Sequence, residues 1–99
     1  MQDGLNSMQE VAALMRDNLP PGLTIAEFGK LLGWGNGNEM ARARMETLTA
    51  EELGAIGLQA EQAANWAIAY ESVVRLTPNN PSAAGRADLM RHAARLLGG

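Results

Sequence analysis

The stretch from Leu58 to Leu76 constrains the fold of this chain more than any other. Ala63, Trp66, Ala67, Tyr70, Val73 and Val74 recur at helical spacing, and Ala60, Ala64, Ile68 and Ala69 carry apolar character round most of the remaining circumference. A helix that is apolar nearly all round must be covered by neighbours on most sides. Its alanines allow those neighbours to approach closely. The segment is therefore expected to be the longest helix and the centre of an all-α fold, a compact orthogonal bundle of five or six short helices.

The rest of the chain agrees. Met8, Val11, Ala12, Met15 and Leu19 form one apolar stripe, capped by Asn6 or Ser7 and stopped by Pro20-Pro21-Gly22. Thr24-Ile25-Ala26-Glu27 and Thr49-Ala50-Glu51-Glu52 are capping boxes, in which the Thr hydroxyl and the Glu carboxylate each take a backbone N–H left free at a helix start. The first box opens a helix with Ile25, Phe28, Leu31 and Leu32 facing inward, and the second opens a short helix to about Ile56. Between them, Glu39 to Leu48 reads as a helix with Met40, Ala41, Met45 and Leu48 inward, and with Glu39, Arg42 and Glu46 spaced for mutual ion pairing. Asn80 is expected to cap the last helix with Pro81 at its first position, and Ala83, Ala87, Met90, Ala93, Ala94 and Leu97 to form its inner stripe. No segment has the alternation of a strand. The 99 residues suffice for one domain: an N-terminal helix and Pro-Pro-Gly linker over 1–22, and a core over 23–99.

Composition removes several functions. There is no cysteine, which excludes a disulfide scaffold, thiol catalysis and a cysteine zinc site. His92 is the only histidine and cannot nominate a metal site, and nothing implies a cofactor. Asp88, one turn earlier, could orient His92 as a general acid or base, but a charged surface group near a helix C-terminus is the simpler reading. No apolar run reaches the ~18 residues that span a membrane. Met1-Gln2-Asp3-Gly4 lacks the basic and then apolar run of a signal peptide, so the expected location is the cytoplasm, or export without a cleavable leader.

Charge is uneven. The net value is −3, but residues 75–99 carry Arg75, Arg86, Arg91 and Arg95 against Asp88 alone. Arg91 and Arg95 form one candidate docking face. The other is Gly33-Trp34-Gly35-Asn36-Gly37, which matches neither a phosphate loop nor a dinucleotide fingerprint. Trp34 either packs over the core or stands exposed, with Asn36 beside it, as a binding anchor of the kind that dominates interfaces. Trp34→Ala separates the two readings: it unfolds the domain in the first and spares stability in the second.

The same loop joins two helices in a possible helix-turn-helix, with Gly29 where such motifs favour a small residue, Gly33 as the turn glycine, and Arg42 and Arg44 on the recognition helix. The connection is long for that motif, and Glu39 and Glu46 dilute the charge. A protein-interaction module is the favoured function, a DNA-binding regulator the alternative, and a small effector enzyme the third class.

Three segments together resemble a small bacterial domain family of unknown function. They are Glu27-Phe28 leading to Gly33-Trp34-Gly35, Trp66 followed by Tyr70, and Asn80-Pro81-Ser82-Ala83 leading to Arg86 and Leu89-Met90, across roughly residues 23–97. The resemblance implies a piece of a larger secreted or toxin-linked bacterial protein, and it marks Arg86 as a position that caps or pairs with the glycine-rich loop.

Overall fold

Each helix start has a local cause. In the computed structural model, which describes residues 5–99, Ser7 accepts the Glu10 N–H at 3.2 Å to begin α1 (Met8–Asp17). Both Thr-x-x-Glu boxes form as expected, at the start of α2 (Ile25–Leu32) and of α4 (Ala50–Ala55). Between them, α3 covers Asn38–Arg44. Gln59 and Gln62 make a third reciprocal box at the start of α5 (Ala60–Leu76). The last helix, α6, covers Ala83–Leu96. The expectation drawn from Met1 to Gly4 lies outside the described residues. Among those residues the fold is all-helical, with no strand and no helix long and apolar enough to cross a membrane.

The centre is a helix pair rather than one helix. α5 packs along α6 and is covered elsewhere by α1, while α6 also carries α3 and α4. Ala63, Trp66, Ala67, Ala69, Tyr70 and Val73 are buried on α5; Ala83, Ala87, Leu89, Met90, Ala93 and Ala94 are buried on α6. Small side chains on both helices permit the close approach.

Asn18 fixes α1 to this pair. Its side chain donates to Leu14 O at 2.7 Å and accepts from Asn65 Nδ2 at 3.0 Å, while its carbonyl accepts the Trp66 indole N–H at 3.1 Å. One buried residue thus closes the α1 C-terminus and satisfies the only polar atom of the fully buried Trp66.

Several expectations need correction. Ile25 (38%), Leu31 (47%), Met40 (55%) and Val74 (38%) are exposed rather than inward. α2 reaches the core through Phe28, Gly29 and Leu32 alone, so one narrow stripe suffices. Helix α3 ends at Arg44, where tighter turns replace it: Met45, Glu46 and Thr47 each bond the carbonyl three residues back. Arg42 pairs across the bundle with Asp88, at 2.9 Å, instead of with its own helix. Asn80 caps as expected, its Oδ1 accepting from Ser82 N and Ala83 N at 2.9 Å, but Pro81 precedes the regular helix.

The closest backbone approach is at Gly85. A Cβ there would sit 2.5 Å from Asn38 O and 2.6 Å from Asn38 Cα, while Gly85 N donates to Asn38 Oδ1 at 2.8 Å. Replacing a helical Gly by Ala ordinarily stabilises by up to about 1 kcal/mol. Here the overlap with backbone costs roughly 1–3 kcal/mol and prises α3 from α6. Gly85→Ala is therefore expected to lower the urea midpoint with an unchanged m-value; a raised midpoint would contradict this packing.

Candidate functional site

The loop between α2 and α3 is built from glycines that other residues could not replace without strain. Gly33, Gly35 and Gly37 have φ of 71°, 59° and 91°. The loop is then stitched to the start of α6. Gly37 N donates to Ser82 Oγ at 3.1 Å, Asn38 N donates to Pro81 O at 3.1 Å, and Arg86 Nη2 donates to Gly35 O at 2.9 Å. Asn80, Pro81, Ser82 and Arg86 thus act together, and Arg86 meets the glycine loop as the resemblance implied.

Trp34 lies inside this frame at 7% exposure. The reading of Trp34 as an exposed anchor is corrected: the ring belongs to the core. It meets Phe28 edge-on at 5.8 Å between centroids, Tyr70 edge-on at 5.5 Å, and Trp66 at 5.9 Å. Its indole edge rests on Gly29, where a Cβ would be 2.8 Å from Nε1. The Arg86 guanidinium stands 4.8 Å from the Trp34 ring centroid and 5.8 Å from that of Tyr70, within range of cation–π attraction. Arg86 Nη1 lies 3.4 Å from the Tyr70 hydroxyl, and Arg86 Nε is buried with no acceptor among the described residues.

An open groove of about 530 Å³ runs over this cluster. It is lined by Ile25, Ala26, Gly29 and Lys30 of α2, by Gly33, Trp34, Gly35 and Asn36 of the loop, and by Tyr70 and Arg86. Its size suits a few residues of peptide or a small molecule. Among the described residues, two cations and no carboxylate line it. Glu27, on the same helix, is held in the capping box.

The other residues singled out in the sequence lie elsewhere. Arg91 pairs with Glu71 at 2.6 Å; with Arg95, Arg42, Met45, Glu46 and Asp88 it lines a second hollow of about 420 Å³. Arg95 is exposed and has no ion pair among the described residues. Trp34 and Asn36 are therefore brought together in one groove, and Arg91 and Arg95 in another.

Arg44 donates to Leu32 O at 2.9 Å, closing the C-terminus of α2, and pairs with Glu52 at 3.0 Å. Both arginines of the possible recognition helix thus have partners within the fold. Asp88 is bonded to Arg42, and no group of three potential metal ligands occurs among the described residues.

Lys30 and Tyr70 line the groove without a signal of their own in the sequence; the nearest signal is the pair of small residues Ala26 and Gly29 on one face of α2, which lets Trp34 lie against the helix backbone.

The chain belongs to the family described as a domain of unknown function (DUF4951), whose family model matches residues 5–97. No curated protein and no solved structure shows a match to the chain.

Two outcomes follow from the cluster. Trp34→Ala should destabilise the domain by about 3–5 kcal/mol, as truncation of a buried aromatic does, with chemical denaturation as the check; a change below about 1 kcal/mol would remove Trp34 from the core. Tyr70 supplies a pH test. Burial raises its phenol above the ordinary value, against the smaller lowering effects of the Arg86 hydrogen bond and charge. The folded state therefore holds this proton more tightly than the unfolded chain does. Its stabilisation is complete below about pH 10 and is lost as pH rises through the folded pKa. Because Tyr70 is the only tyrosine, phenolate absorbance should report its titration directly, and Tyr70→Phe should blunt the alkaline loss of melting temperature.

Proposed function

We propose that this domain is a protein-interaction module and that the groove beside Trp34 receives a segment of its partner. The observation that carries this reading is the rigid construction of the groove. Its loop is held by three hydrogen bonds to the start of α6, and its Trp is fixed among three other rings. A surface already ordered before binding loses little conformational entropy when it is covered. Ile25, exposed at the groove wall, and the groove-facing part of the indole supply apolar area. Asn36, which is exposed, and Lys30 supply polar rim contacts. Mixed apolar and polar character of this kind suits a protein segment.

The bacterial, secretion- or toxin-associated setting implied by the resemblance belongs to the same proposal. Arg91 and Arg95 are a weaker candidate surface because Arg91 is engaged by Glu71.

Ala26→Phe places a bulky uncharged ring in the groove from an exposed helix position and leaves the core intact. A partner recovered from the native organism should be retained by the wild type and by Arg91→Ala, and lost by Ala26→Phe with an unchanged melting temperature. Equal retention by wild type and Ala26→Phe would refute the groove as the interface.

A further inference from the structure

We infer that the groove at Trp34 recognises an acidic side chain, Asp or Glu, within an otherwise apolar segment of its partner. This deepens the interaction reading and rests on it. The argument begins with Arg86. Arg44 and Arg86 are the two arginines that are partly buried rather than exposed. Arg44 has a carboxylate partner, Glu52, at 3.0 Å. Arg86 has none among the described residues: its partners are the Gly35 carbonyl, the Tyr70 hydroxyl and two ring faces, all of them neutral. A guanidinium carries five N–H donors, and the two nitrogens with partners, Nη1 and Nη2, each retain a second one. A partly desolvated cation is costly without an opposite charge, and it exerts a stronger field than one in open water.

The surroundings add to that field. Lys30 lines the same groove and has no ion pair among the described residues, and no carboxylate lines it. Donors are in surplus as well. The Trp66 indole N–H is bonded to Asn18 O, whereas that of Trp34, over the side-chain-free surface of Gly29, has no acceptor among the described residues. The backbone N–H groups of Trp34, Gly35 and Asn36 likewise have none, although Gly33, Gly37 and Asn38 on either side are bonded. A groove with two cations and several free donors, on a chain of net charge −3, is complementary to an anion that accepts hydrogen bonds. The open ends of the groove admit a continuing chain, and Ile25 and Ala26 suit the apolar neighbours of the acidic residue.

The test uses isotope-labelled protein and three N-acetylated peptides: acetyl-Leu-Glu-Leu-amide, its Gln isostere, and acetyl-Leu-Leu with a free C-terminus. The two indole N–H resonances separate the sites, with Trp66 as the internal reference. The Glu peptide should move the Trp34 resonance saturably and leave that of Trp66 in place. The Gln isostere should bind at least about tenfold more weakly, as expected for loss of a charge-assisted contact. Lys30→Gln, at an exposed position, should weaken the Glu peptide several-fold, and added salt should do the same.

Equal affinity for the Glu and Gln peptides would overturn the acidic specificity and leave the interaction reading standing. Binding by the free C-terminus alone would overturn the choice of a side-chain carboxylate. No movement of the Trp34 resonance at about 10 mM of any peptide, a level that detects even millimolar affinity, would overturn the inference altogether. The groove as interface fails separately, if Ala26→Phe retains the native partner as the wild type does.

Discussion

The four-ring cluster is the contact on which the rest of the structure depends. Phe28, Trp34, Trp66 and Tyr70 are the only aromatic residues in the chain, and all four touch. They come from α2, from the loop that follows it, and from two successive turns of α5. Centroid separations run from 4.7 to 6.0 Å, and such pairs contribute about 0.5–1.5 kcal/mol each beyond the area they bury. Elsewhere half of the buried hydrophobic residues are alanine, and Leu32, Leu48, Leu53, Leu58, Leu89 and Met90 supply most of the remaining apolar area. The cluster therefore supplies a large share of what holds α2 and its loop to α5, and it fixes where the groove can form.

The groove arises from what is missing around that cluster. Ala26 and Gly29 place almost no side-chain volume beside Trp34, so the indole packs edge-on against the α2 backbone and one border of it stays accessible. The Asn80-Pro81-Ser82 turn then makes the loop rigid. Asn80 turns its side chain back on its own helix start, which releases the Ser82 hydroxyl to hold Gly37. Gly85 lets Asn38 come close enough to bond the first turn of α6. Packing at one end of α6 and shape at the other side of the loop are thus the same set of contacts.

Local chemistry was legible in the sequence, and long-range pairing was not. Both Thr-x-x-Glu boxes, the glycine loop and the long α5 could be read because each depends on residues within one or two turns. The exposure of Met40 could not: its side chain lies against Gly35, where a Cβ would be 2.6 Å from the methionine methyl, so loop geometry overrides helical periodicity. Arg42 and Asp88 are 46 residues apart, and nothing in their spacing distinguishes that pairing from one with Glu46. Asn18 carries no distinguishing mark in the sequence and is a buried hub for three hydrogen bonds. Packing of Trp34 over the core is one of the two readings of the loop, and the rings on α5 that decide for it are ones that sequence proximity does not reveal.

Arg86 does more than hold the loop in place. Gly35 O needs one donor, and a neutral amide of similar reach would supply it without bringing a charge into a half-buried site. The guanidinium instead introduces a full positive charge, a buried Nε with no acceptor that costs roughly 1–3 kcal/mol, and N–H groups beyond those the fold uses. Cation–π attraction to Trp34 and Tyr70 offsets part of that cost, by about 0.5–2 kcal/mol. The part left over is local strain against the fold's own stability, and such exceptions are expected where a structure is shaped for a ligand. In this domain the exception lies at the groove, beside the free Trp34 N–H and Lys30, and the counter-charge it lacks is the one an acidic partner would bring.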